Sequence, residues 1–61
     1  MKMSIERLAS TAFDAWEMVR ALEMTNVPDN YDDRKKAFVK LAEARCAAAQ
    51  AQRLLDEGIN Q

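Results

Sequence analysis

The sequence predicts an all-α fold, an antiparallel two-helix hairpin that dimerises into a four-helix bundle. Ile5, Leu8, Ala12, Ala15, Val19 and Leu22 recur at alternating steps of three and four, the period of one helical face. Ala37, Leu41, Ala44, Ala48, Ala51 and Leu55 do the same in the second half, mostly with single methyl groups. Between these runs, residues 25–30 read Thr-Asn-Val-Pro-Asp-Asn. A connection that short makes its two helices antiparallel neighbours.

The first helix is expected over about residues 4–25. Ser4 suits an N-cap, and Glu6 places negative charge in the first turn, where it complements the helix dipole. The stripe from Ile5 to Leu22 reads as a heptad seam. Ala9, Phe13 and Trp16 widen it on one flank, while Arg7, Ser10, Asp14, Glu17 and Ala21 take the opposite face. Pro28 disfavours helical geometry at Val27, and the Asn and Asp residues suit a turn over 26–30. Asp29 or Asn30 then caps a second helix over about 31–57, with Asp32 and Asp33 in its first turn. Asp32 also has Lys35 and Lys36 at helical contact spacing. Gly58 is expected to stop this helix, leaving Ile59, Asn60 and Gln61 as a frayed tail. Residues 1–61 form a single domain. Pairing the helices tightly around the turn sets Val19 near Ala37 and Phe38, Ala15 and Trp16 near Leu41, Ala12 near Ala44, and Leu8 near Ala48.

Why a dimer? The chain has 61 residues, and below roughly 70–80 residues one core rarely supplies more than about 3–5 kcal/mol. Cys46 is the only cysteine, so no disulfide can form within the chain, and with no histidine a zinc cage is not expected. Another chain is left as the source of the missing core. The second helix also carries a second apolar strip, Phe38, Val39, Ala42, Cys46 and Ala49. It lies about a third of a turn or more from the alanine seam, so one partner helix cannot cover both. Two hairpins packed about a two-fold axis would. The expected dimer interface is Phe38, Ala42, Arg45, Cys46, Ala49 and Gln52. Arg45 and Gln52 sit between the strips. Either their stems lie over the seam with their heads in water or on acidic groups, or they are polar markers of dimer register.

Nine basic and ten acidic residues leave a net charge of −1, which gives no overall bias toward nucleic acid or an anionic membrane. The start, Met-Lys-Met-Ser-Ile-Glu-Arg, does not read as a secretory signal. No run approaches the roughly 20 apolar residues of a membrane helix. A cytoplasmic location is the expectation, and a lone cysteine agrees with it.

No enzyme is expected. Cys46 has no imidazole base and sits among alanines, where a thiol behaves as a small apolar group. Its functional alternative is a disulfide across the dimer axis, which needs Cα atoms within about 7 Å. The single glycine excludes glycine-rich phosphate loops. Asp29, Asp32 and Asp33 invite a calcium loop, but counting from Asp29 puts Arg34 where the loop needs glycine. No catalytic, cofactor-binding or metal-ligating residue is assigned.

Two clusters remain as binding candidates. Arg34, Lys35, Lys36 and Lys40 form the only basic group and could grip phosphates, with Tyr31 available to stack on a base. The alternative is a solvated helix face, since Asp29, Asp32 and Asp33 precede it. Phe13, Trp16 and Arg20 share a flank of the first helix, with Glu17 at the rim. Trp and Arg are common anchors of protein interfaces, though aromatics at helical spacing also build cores. Met18 and Met24 lie off the seam, as exposed residues or adaptable contacts.

The layout resembles the plasmid RNA-binding hairpins of the ROP type, which are dimeric four-helix bundles. Val27-Pro28-Asp29-Asn30-Tyr31 is similar to the proline-bearing turn of type III secretion needle hairpins. These resemblances imply RNA binding or a filament or secretion-assembly subunit as alternatives, and neither carries functional residues over. The leading expectation is a non-enzymatic protein-interaction module. Such a small regulator or inhibitor, of a kind also found on mobile genetic elements, would dock Phe13, Trp16, Glu17 and Arg20 onto a larger protein.

Overall fold

The computed structural model describes residues 4–60. Two helices, α1 (Ile5–Met24) and α2 (Tyr31–Ile59), pack against each other as a hairpin, with no strand among the described residues. Both begin as the sequence indicates. Ser4 is extended and its Oγ accepts from the Arg7 amide at 3.2 Å. Asn30, rather than Asp29, caps α2: its Oδ1 accepts from the Asp32 amide at 2.8 Å and the Asp33 amide at 3.3 Å. These bonds satisfy amides that a helix start otherwise leaves without partners. α1 ends at Met24, where Thr25 turns extended and its Oγ1 donates to the Ala21 carbonyl at 2.9 Å.

The far end of α2 corrects the sequence expectation. Gly58 does not stop the helix, which runs on to Ile59 with Asn60 as its cap. Gly58 adopts no positive φ. A Cβ built there would lie 2.8 Å from Leu8 Cδ1 and 3.2 Å from Ile5 Cδ1. The glycine is therefore a point where side chains from the start of α1 lie close over α2, not a terminator. Gln61 of the expected tail lies outside the described residues, as do residues 1–3.

The register also differs. Leu8 meets Gly58 instead of Ala48. Trp16 meets Gln52 instead of Leu41, and Glu23 meets Arg45. Every pairing lies about ten residues further along α2 than a tight turn would give, close to three helical turns. The faces are the expected ones, but they slide. α1 has 20 residues and α2 has 29, so α1 covers the C-terminal part of α2 and leaves its N-terminal part projecting. The chain is accordingly elongated, 47 × 17 × 14 Å. Its Cα radius of gyration is 14.4 Å, against about 10.5 Å for a compact domain of this length.

The core is minimal. Among the described residues, Ala12, Val19, Ala48 and Ala51 are its buried members, and no large side chain is fully buried. Leu8, Ala15, Leu22, Leu41, Ala44 and Leu55 flank them half-buried, while Ala37, at the turn end of the seam, is exposed. The alanine face brings the helices close but removes little apolar area from water.

Candidate functional site

Three exposed surfaces follow from this slide. The first is the α1 flank. Phe13, Trp16, Glu17 and Arg20 all lie on the surface, Phe13 at 64% exposure and Trp16 at 41%. The Trp16 indole is tied to α2: its N–H donates to Gln52 Oε1 at 3.1 Å, and Gln52 Nε2 donates to Asp56 Oδ1 at 3.0 Å. This chain of bonds pins the indole against α2 while leaving much of it accessible. A rigid amphipathic ring held at low entropic cost suits an interface anchor.

The second surface is the outer strip of α2. Phe38, Val39, Ala42, Cys46 and Ala49 are all exposed. The first four line a shallow depression of about 430 Å³. Cys46 is a free, exposed thiol. Arg45 and Gln52, the polar residues beside this strip, turn to α1. The Arg45 guanidinium donates to Glu23 Oε2 at 2.7 Å, and Gln52 holds Trp16. The pair is more than 40% exposed on both sides, so it contributes at most about 1 kcal/mol and serves mainly to set register.

The third surface was not anticipated as a unit. Where α1 stops, the connector 25–30 and the projecting start of α2 frame a groove of about 780 Å³, within the range of ligand-sized clefts. Its apolar lining is Leu22, Val27, Tyr31, Ala37, Phe38 and Leu41, and Arg34, Lys35, Lys36 and Lys40 also border it. The one acid that borders it, Glu23, is already paired to Arg45. All four basic residues are exposed, and they border this cleft. Asp32 and Asp33, whose amides Asn30 caps, do not border it.

The sequence carried a signal for this groove that periodicity does not show. The expected spans, about 4–25 and about 31–57, are already unequal, and helices of 20 and 29 residues oblige one to project beyond the other. Nothing singled out Glu23, whose place opposite Arg45 depends on the register.

Among the described residues no group of three His, Cys, Asp or Glu is arranged to hold a metal ion, and no helix is long and apolar enough to cross a membrane. The chain matches no protein-family model, no curated protein and no solved structure.

Proposed function

We propose that this chain is a non-enzymatic protein-interaction module, a small cytoplasmic regulator or inhibitor. It pairs with a second copy through the outer strip of α2 and presents the α1 flank to a larger protein. One observation carries this: the bulky apolar residues are outside. The buried set is three alanines and a valine, while Phe13, Trp16, Phe38, Val39 and Leu54 are among the large hydrophobic residues left exposed. The chain exposes 5343 Å², against about 4,000 Å² for a compact protein of its mass. The surplus exceeds the roughly 800 Å² per partner of a standard interface. A second hairpin on Phe38, Ala42, Cys46 and Ala49 would complete a four-helix bundle and leave the α1 flank outermost. The free thiol of Cys46 fits a reducing compartment.

Two experiments test the reading. Light scattering coupled to size exclusion, at two well-separated concentrations, should give a stable dimer. Ala42→Asp should return it to a monomer with its helix content kept, because the carboxylate would be buried unpaired. A parent chain that stays monomeric would remove self-association from the proposal. A photo-cross-linking amino acid in place of Phe13, in cells that express the chain, should give a discrete heavier adduct that disappears with Trp16→Ala. The same probe at Asp32 should give none. Equal labelling from both positions would refute the α1 flank as the docking face.

A second reading has an observation of its own. Arg34, Lys35, Lys36 and Lys40 border one groove together with Tyr31, and an RNA site combines cations with an aromatic ring. Phosphate-driven affinity falls steeply between low and moderate salt, and apolar docking barely changes. If Lys35→Glu with Lys36→Glu leaves every binding activity intact, the nucleic-acid reading is dead.

A further inference from the structure

The geometry points to a binding site for an acidic amphipathic helix of a partner protein in the groove between the connector and the start of α2. This rests on the interaction-module reading and names the class of segment such a partner would bring. The seam of α2 does not end with α1. Ala37 and Leu41 continue the face of Ala44, Ala48 and Ala51 by helical periodicity, yet Ala37 stays exposed and Leu41 only half-buried. The Glu23–Arg45 pair marks where α1 finishes, so about 13 residues of α2 project, roughly 20 Å at 1.5 Å per residue. That length accommodates a helix of three to four turns lying beside the connector. Ala37 offers it the same close approach that Ala48 offers α1, while Leu22 and Leu41 supply apolar walls.

Charge selects among such helices. Arg34, Lys35, Lys36 and Lys40 border the groove, and its one acid is paired to Arg45. A segment with Leu-type residues on one face and Glu or Asp on the flanks meets an apolar floor and unpaired cations. A basic segment meets like charge. A nucleic-acid strand would satisfy the cations and stack a base on Tyr31, but it would leave Ala37 and Leu41 without apolar cover.

The test uses the full chain and a fluorescein-labelled synthetic helix of about 14 residues, matched to the projecting length. It has leucines on one face and glutamates on the flanks. A counterpart carries lysines for the glutamates, and a single-stranded RNA of similar length is titrated in parallel. By fluorescence anisotropy the glutamate peptide should bind at least about tenfold tighter than the lysine peptide. Lys35→Glu with Lys36→Glu should invert that preference. Ala37→Glu, which places a carboxylate on an exposed position in the groove floor, should weaken the glutamate peptide about tenfold or more. Circular dichroism checks that helix content is kept. If the double reversal loses it, Lys35→Gln with Lys36→Gln should still narrow the gap between the peptides. Equal affinity for both peptides, no binding of either, or salt-sensitive binding of the RNA alone would each overturn the assignment. Failure here with a specific adduct from the Phe13 probe would remove the groove and keep the docking module. Loss of that adduct as well would remove both.

Discussion

Ala48→Leu tests whether an alanine seam holds the helices at a fixed close distance. Ala48 is 0% exposed, and the other buried residues are Ala12, Val19 and Ala51. If a leucine fitted, its three extra carbons would gain about 2.4 kcal/mol at roughly 0.8 kcal/mol for each buried carbon. The structure gives it nowhere to go. Alanine neighbours have no rotamer through which to yield, and no large buried side chain can swing aside. The strain passes to the interhelical distance, which the side chains at the contact set within about 8–10 Å. Widening it also loosens the Trp16–Gln52 bond and the Glu23–Arg45 pair, which close at 3.1 and 2.7 Å. Overpacking of this kind costs about 1–3 kcal/mol, a large share of the 3–5 kcal/mol or so that a core this small supplies. For a chain this short, about 8 °C per kcal/mol gives a fall in melting temperature of roughly 8–24 °C. Thermal and urea unfolding followed by far-ultraviolet circular dichroism measure it. Ala21→Leu, on an exposed position of α1, is the control and should stay within about 0.5 kcal/mol of the parent. If Ala48→Leu melts at or above the parent temperature, the helices are not held at alanine spacing and the account of the core is wrong.

Other expectations are smaller. Asn30→Ala removes the acceptor for two amides and should cost about 1 kcal/mol in urea unfolding, whereas Asn30→Asp should cost little. A double-mutant cycle on Glu23→Gln and Arg45→Gln should give a coupling below about 1 kcal/mol that shrinks with added salt, because the pair is exposed. Gln52→Leu removes the acceptor from the only tryptophan. It should shift Trp16 emission and cost about 0.5–1.5 kcal/mol, and an unchanged spectrum would mean the bond does not hold the indole in solution. Gly58→Ala should come out within about 0.5 kcal/mol of the parent by thermal unfolding. Its Cβ meets only the tips of Leu8 and Ile5, and the gain in helix propensity offsets the small displacement they need.

How far the sequence foretold this molecule depends on which residues are asked. The two helical spans and the faces that meet, Ala12 and Val19 against Ala48 and Ala51, follow from periodicity, because a 3.6-residue repeat admits one buried stripe on each helix. The caps followed from side-chain chemistry. Register did not, because an alanine stripe presents nearly the same surface at every turn, and sliding it by three turns changes few contacts. What fixes it are singular polar contacts, the Trp16–Gln52 bond and the Glu23–Arg45 pair, and Leu8 then falls over Gly58. Gly58 was misread for a related reason. A glycine near a helix end suggests a C-cap by statistics, but its missing Cβ also serves close packing, and only the neighbouring helix decides between the two. Of the surfaces, the α1 flank and the α2 strip were legible residue by residue. The basic cluster was legible as a cluster, but its union with Ala37 and Leu41 in a groove depended on the register.

The connector ties register to surface. A hairpin of two equal helices joined by a tight turn would bury Ala37 and Leu41 against the end of α1, and no groove would exist. Here residues 25–30 leave α1 with Thr25 extended at ψ 138° and enter α2 with Asn30 extended at ψ 133°. Pro28 between them favours the same kind of backbone at Val27. Six residues at about 3.3–3.6 Å each reach roughly 20 Å, which matches the rise of the projecting part of α2. The connector is therefore long enough to return along α2 beside the groove, with Val27 and Tyr31 at its border, and it need not turn tightly. Closing the register by three turns would compact this connector, bury Ala37, and part Gly58 from Leu8 and Trp16 from Gln52. The chain thus forgoes a few buried alanines at the turn end and keeps specific contacts along the rest of α1. The side chains left over, apolar in the floor and cationic at the rim, are those a helical partner can use.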